Sequence, residues 1–344
     1  MRYLWNISSH GWGHAARQRH LIGRLLNLKP DSQITVASDV PAWFWNGVDV
    51  RVAAGSPSPR VYENGWDVDL ERTRREFKSF LGNIERHLRV QVDLQRRAKP
   101  DVVISDIDPL PLAAAGINSI PGLGIANFTW DWVMGSLFPD MSEQAEAAGR
   151  LYRSGTYLRL PPGPSHSPFR RTVDFPMLLS GRPCMGEQRK GGLPEGRICL
   201  IAMREPPPDF SPKLPKGWTM ISSSVRPLAD GILNFHPARL QRMGMNFSDL
   251  FHGAAVVVAK PGYGIVSQIL AAGKPCVLIT GRSFPEEDYL LEPFTGRRAT
   301  ALLPLRAIAE LPKAVMEVHG TDRPDPVAAG GAEAIIKGGY LHPD

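Results

Sequence analysis

The apolar positions of this chain fall into short continuous runs separated by stretches with helical spacing. "YLWNIS" (3–8) has the pattern of a strand, "AARQRHLIGRLLNL" (15–28) puts its apolar residues on one helical face, and "QITVAS" (33–38) is strand-like again. The chain therefore opens as a βαβ unit. "VDVRVA" (48–53) adds a strand, and between Asp69 and Arg97 the residues Phe77, Leu81, Ile84, Leu88 and Val92 mark one face of a long basic helix. A strand at "KPDVVISDI" (99–107), a helix at "PLPLAAAG" (109–116) and a strand at "GLGIANF" (122–128) complete the alternation. Such alternation predicts an α/β fold with a parallel sheet covered by helices.

Between 160 and 196 the sequence turns rich in proline, glycine and basic residues ("LPPGPSHSP", "RKGGLPEG"), which marks a connection between domains. Strand-like runs then resume at 197–203, 218–223, 254–260, 275–280 and 299–305. The reading is two Rossmann-like domains, 1–180 and 181–330, and a C-terminal tail, 331–344.

Composition fits this division. The 344 residues suit two domains of ordinary size, and 43% hydrophobic with 22% charged residues allow a sizeable core. Lys and Arg exceed Asp and Glu by 40 to 34, a formal charge of +6, which suits phosphate-bearing ligands and leaves peripheral contact with an anionic membrane surface open. No helix-turn-helix, RRM or zinc pattern accompanies that charge, so nucleic acid is not an expected partner. Three cysteines (Cys184, Cys199 and Cys276) without CxxC spacing argue for a reducing compartment and against zinc. With neither a signal-peptide core nor a membrane-length apolar run, a cytoplasmic location is expected.

The chemistry concentrates at predicted strand ends. "SSHGWGHAARQRH" (8–20) joins the first strand to the first helix through a loop in which Gly11 and Gly13 can bring backbone close to a ligand and free N–H groups face an anion. His14 sits at that junction as a potential general base, with Arg17 as a charge for a phosphate or for the helix surface, and His10 as a further polar group. "SDIDPLPLAAA" ends another strand with Asp106, placed to orient the histidine, and Asp108, equally suited to capping the next helix. "NFTWDW" adds Asn127, Thr129, Trp130 and Asp131 to the same rim, for a polar acceptor or for packing. In the second half "AKPGYGIVSQ" repeats the strand, glycine loop and helix, with Gly262 and Gly264 opening the helix and Lys260 and Ser267 nearby.

Taken in order, "SSHGWGHAARQ", "SDIDPLPLAAA", "NFTWDW" and "AKPGYGIVSQILAAGKPCVLITGRSFPEEDYL" resemble the GT-B glycosyltransferase superfamily. The likeness is to the glycosyltransferase-like N-terminal region of plant L-arabinokinases. The GxGHxxR element also resembles the corresponding loop of the N-acetylglucosaminyltransferase that makes lipid II and of the UDP-sugar hydrolase of pseudaminic acid synthesis. The resemblance implies two Rossmann-like domains facing a central cleft, the acceptor on the N-terminal side and a nucleotide-diphosphate sugar, UDP-linked by preference, on the C-terminal side. On that basis Gly262, Tyr263 and Gly264 approach the diphosphate, Glu286 or Glu287 contacts the ribose or donor sugar, and "NFHPARL" lies near the base. It further implies a hexosyltransferase-like, metal-independent reaction without a cofactor, His14 deprotonating an acceptor hydroxyl of unknown identity.

The same loops would serve a nucleotide-sugar hydrolase or epimerase, or a module that binds the nucleotide sugar without turning it over. The His14 and Asp106 pair argues for turnover, because a passive site needs no base.

Overall fold

The computed structural model describes residues 1–8, 12–55, 57–179, 191–208 and 210–341. The first half runs β1 (Arg2–Ile7), α1 (Trp12–Leu28), β2 (Gln33–Ala37), β3 (Arg51–Ala53) and a small hairpin, β4 (Glu63–Asn64) with β5 (Asp67–Val68). It continues through α2 (Leu70–Gly82), α3 (Ile84–Ala98), β6 (Val102–Asp106), α4 (Pro109–Ile117), β7 (Gly122–Ala126), α5 (Trp130–Leu137), α6 (Ser142–Arg150), β8 (Thr156–Arg159) and β9 (Arg171–Asp174). The second half holds β10 (Arg197–Ala202), β11 (Trp218–Ser222), β12 (Ile232–Asn234), α7 (Pro237–Arg242), α8 (Phe247–Gly253) and β13 (Val256–Ala259). Then come α9 (Tyr263–Ala272), β14 (Cys276–Thr280), α10 (Glu286–Leu291), β15 (Thr300–Pro304), α11 (Leu311–His319) and α12 (Gly331–Lys337).

Both large sheets are wholly parallel. Strand order is β3-β2-β1-β6-β7-β8-β9 in the first and β12-β11-β10-β13-β14-β15 in the second. Each order reverses once, between β1 and β6 and between β10 and β13, and the crevice beyond the carboxyl ends at such a reversal is where open α/β sheets take ligands. The α/β reading and the paired parallel sheets stand.

Differences of detail have local causes. The long helix expected from 69 to 97 breaks into α2 and α3 at Asn83, whose side-chain amide donates to the Ser79 carbonyl at 2.8 Å and so closes the first helix. Part of the stretch read as linker supplies β9, whose sequence RTVD holds one apolar residue and so no readable period. The boundary at 180/181 lies outside the described residues. From 331 the segment read as a tail forms α12, which packs on α1: Arg24 pairs with Glu333 at 2.6 Å, and the Tyr3 hydroxyl donates to the Leu341 carbonyl at 3.1 Å. Where the chain enters α12, the Gly331 N–H donates to the Met177 carbonyl at 3.2 Å, and a Cβ on Gly331 would lie 2.5 Å from the Pro176 carbonyl oxygen.

One apolar cluster joins the two sheets, with Tyr3, Trp5 and Leu21 in the same buried group as Leu200, Val266 and Ile335. A second cluster lies under the N-terminal domain's rim, where the Phe77 ring meets the edges of Trp130 and Phe138 at centroid distances of 5.9 Å. Cys199 and Cys276 are buried, and burial pushes both thiols up to about 12. Among the described residues no helix is long and apolar enough to cross a membrane.

Asp108 caps α4 by accepting the Leu110 N–H at 3.2 Å, and Ser105 Oγ donates to its carbonyl at 2.6 Å. Its carboxyl is fully buried, and burial raises it from 3.8 to about 8 against the small opposing effect of that N–H. The folded chain therefore keeps a proton there that the unfolded chain has lost between those values, so stability falls as pH rises through that window. Asp108→Asn keeps the cap acceptor without the titration, and its melting temperature is expected to fall less than the wild type's between pH 5 and pH 8. Phe77→Ala empties the contact that seats α2 on α5 and is expected to cost about 3–5 kcal/mol, read from urea midpoints.

Candidate functional site

The first reversal point is built around a buried cation. His14, Arg17 and Gln18 lie three and four residues apart on α1, one helical face, and that face meets Asp106 at the carboxyl end of β6. Arg17 is 0% exposed. Its Nε donates to Asp106 Oδ2 at 2.9 Å, its Nη2 to Oδ1 at 2.7 Å, and its Nη1 to Asn127 Oδ1 at 2.6 Å. Gln18 Nε2 donates to Asp106 Oδ2 at 2.7 Å while its Oε1 accepts from the Trp5 indole at 2.9 Å. His14 Nδ1 stands 2.8 Å from Asp106 Oδ1 and fills the fourth acceptor position of that carboxylate. The same Nδ1 lies 2.9 Å from Arg17 Nη2, so the tautomer of His14 decides which partner it serves.

The electrostatics follow from this packing. Burial alone would raise the Asp106 carboxyl, but Arg17 and His14 beside it hold it well below the usual carboxylate range. Burial likewise opposes charge on Arg17, and Asp106 outweighs it, so the guanidinium stays protonated. The pair is thus an ionised, hydrogen-bonded anchor with His14 at its rim, 9% exposed, edge-on to the Phe128 ring at 5.9 Å.

The second domain meets this anchor directly. Asn127 Nδ2 donates to Glu286 Oε1 at 2.7 Å, and the Arg17 guanidinium lies 4.8 Å from the centre of the Tyr263 ring. Phe128 meets Phe284, and Trp132 meets Tyr289, with centroids 6.0 and 5.6 Å apart. A Cβ on Gly13 would stand 3.7 Å from the Gly264 nitrogen, so the first turns of α1 and α9 abut across the boundary. The β4–β5 hairpin makes a further bridge. Glu63 accepts from Lys260 Nζ at 2.9 Å and from Arg282, while Asp67 accepts from the Ser283 N–H at 2.7 Å and from Ser283 Oγ at 2.9 Å.

The structure thus brings His14, Asp106, Arg17, Tyr263 and Glu286 together. Arg17 faces neither a phosphate site nor solvent, because its guanidinium is occupied by Asp106 and Asn127. Gly13 lies inside α1 without a left-handed backbone, and a Cβ there would be in ordinary van der Waals contact. His10 and Gly11 lie outside the described residues. Gly262 caps α9 in extended backbone with open space where a Cβ would be. Tyr263 is buried, its oxygen accepting the Leu178 N–H at 3.1 Å, and burial raises its hydroxyl to about 12. Ser267 is buried and bonds back to the Gly264 carbonyl at 3.0 Å.

Glu287 Oε1 shapes the turn after β14 by accepting the N–H groups of Gly281 and Arg282 at 2.7 and 3.2 Å. Asp131 turns toward α6 and pairs with His166 Nε2 at 2.6 Å, which raises that histidine above its ordinary value. Sequence reasoning missed Gln18, readable only as the residue four after His14, and the whole set of Glu63, Trp66, Asp67, Arg282 and Ser283. Among the described residues no group of three or more His, Cys, Asp or Glu side chains is placed to hold a metal ion.

Removing Asp106 leaves a fully buried guanidinium without its counter-ion, so Asp106→Asn is expected to cost about 3–5 kcal/mol at pH 7. Because the carboxyl is depressed in the folded state, its contribution is complete above about pH 4 and drains as pH falls toward the folded value. Urea denaturation of both proteins at pH 7 and pH 3 checks this, the gap narrowing at the lower pH.

No protein-family model matches the chain. It is similar to the L-arabinokinase of Arabidopsis thaliana, 23% identical over 328 aligned residues that take in 84% of this chain and 29% of that protein. The chain thus spans less than a third of that relative. Among solved structures it resembles SsfS6, a glycosyltransferase of Streptomyces sp. SF2575, with TM-score 0.56, 15% identity, and coverage of 100% of this chain and 97% of that one. It also resembles the spinosyn rhamnosyltransferase SpnG, with TM-score 0.58, 13% identity, and 98% and 94% covered. The glycosyltransferase VinC in complex with dTDP superposes with TM-score 0.56, 15% identity, and 98% and 94% covered. Two parallel-sheet domains meeting along the carboxyl ends of their strands give this chain the fold of the GT-B glycosyltransferases.

Proposed function

We propose that the protein is a glycosyltransferase that moves a sugar from a nucleotide-diphosphate donor, a UDP-sugar by preference, to an acceptor hydroxyl, with His14 as general base. The observation that carries the reading is the His14 and Asp106 pair at the first sheet's reversal point, abutting the first turn of α9 at the second. With Nδ1 protonated and donating to Asp106, His14 carries its lone pair on Nε2. That nitrogen takes the proton of the acceptor hydroxyl as its oxygen attacks the anomeric carbon and the bond to the diphosphate breaks. Asp106 stays ionised throughout and steadies the imidazolium that forms.

The leaving diphosphate belongs at the other helix. A Cβ on Gly262 would meet nothing within 4 Å, which leaves the N-cap of α9 open to an approaching phosphate, and that end carries the helix's positive partial charge. Lys260, following β13 and paired here with Glu63, adds a cation, and Glu286, already accepting from Asn127, offers its remaining acceptor capacity to a ribose or sugar hydroxyl. In this reading the hexosyl-type transfer uses no metal and no cofactor. The likeness to glycosyltransferases, one of them solved with dTDP, supports the class of donor.

Turnover of UDP-, dTDP- and GDP-sugars with and without added alcohols tests the reading. His14→Ala is expected to lower kcat about 10²–10⁴-fold while calorimetry shows the nucleotide bound as before. Unchanged turnover in His14→Ala would remove the base from the mechanism.

A further inference from the structure

The β4–β5 hairpin reaches from the N-terminal domain onto the crevice where the second sheet's strand order reverses. Lys260 follows β13, and Arg282 and Ser283 follow β14, so these three donors line the carboxyl edge beside that reversal. All three are held by the hairpin. One Glu63 oxygen accepts from Lys260 at 2.9 Å and from Arg282, and the two oxygens of Asp67 take the Ser283 N–H and hydroxyl at 2.7 and 2.9 Å. Between these carboxylates Trp66 is 4% exposed, in the same apolar cluster as Ile201 and Met203 from the end of β10, with the Lys260 ammonium 4.8 Å from its ring centre.

Two cations, a backbone N–H and a hydroxyl converging beside a helix N-terminus are the groups that bind a phosphoryl anion. Here they bind two carboxylates supplied by the chain itself. Lys260 and Arg282 repel each other, and burial with that repulsion pulls the lysine below its ordinary value, so the site needs an anion. Arg282 Nε, buried at this edge, has no hydrogen-bond partner among the described residues. The carboxylates therefore leave part of the site's hydrogen-bonding capacity unused.

We propose that the hairpin is a displaceable clasp in which Glu63 and Asp67 stand where the donor's diphosphate binds, so that a nucleoside diphosphate must lift the hairpin to enter. This rests on the donor reading given above and adds a gate to it. The clasp's polar grip is light, since each of its strands is two residues long and its carboxylate at Glu63 is partly exposed, where ion pairs hold weakly, so the buried Trp66 ring is what a ligand must chiefly displace. Displacement also cuts two bridges between the domains, so donor entry and freedom of the domains to move are coupled.

Calorimetric titration of the full chain and of Glu63→Gln/Asp67→Asn with UDP, dTDP and inorganic pyrophosphate tests this. Hydrogen exchange of peptides covering 61–69 in the wild type, with and without each probe, accompanies it. The double variant is expected to bind tenfold tighter or more, and saturating probe is expected to speed exchange in the wild-type hairpin. Equal or weaker binding by the variant, or slower exchange on binding, overturns the clasp. Equal nucleotide binding by both proteins leaves the donor reading standing and the clasp fallen. Pyrophosphate that lifts the hairpin where neither nucleotide binds shows a displaceable diphosphate site but overturns the nucleoside diphosphate as what opens it, and no response to any probe overturns the clasp. Should the variant not fold, exchange in the wild type decides alone.

Discussion

A buried positive charge organises this protein. The Arg17 guanidinium has no access to water, so Asp106 must be ionised beneath it, Gln18 must complete the carboxylate's shell, and Asn127 must take the remaining side. Those demands fix α1, β6 and the end of β7 relative to one another. They also fix His14, one turn before Arg17, at the edge of the same carboxylate. A histidine on a loop alone would sample many positions; this one is set by the need to neutralise its neighbour.

The anchor extends into the second domain by a short polar chain. Asn127 accepts from Arg17 and donates to Glu286, and the Tyr263 ring offers its face to the same guanidinium. The first residues of both cleft helices are therefore positioned by one charge. In the opposite direction the hairpin carries negative charge to the basic edge of the second sheet, so each domain places side chains in the other's crevice.

Much of the scaffold was legible from periodicity, because the inner strands β1, β6, β10, β13 and β14 are buried on both faces and read as continuous apolar runs. The histidine and aspartate stood out for a related reason: Asp106 closes such a run, and His14 lies in the first turn of the helix that follows one. What stayed hidden were contacts made by short or polar segments. β9 has one apolar residue, and β4 and β5 have two residues each, too few to show a period. The role of Arg17 was invisible too, since a helix-borne arginine looks the same whether it faces water or, as here, a buried carboxylate 89 positions away.

The Gly331 hydrogen bond to Met177 ties two distant parts of the chain together. The Gly331 nitrogen, at the start of α12, lies 3.2 Å from the oxygen of Met177, which follows β9. A Cβ at Gly331 would press on the Pro176 and Met177 carbonyls, at 2.5 and 2.9 Å, so any side chain at 331 would wedge α12 away from the segment after β9 and loosen its seat on α1.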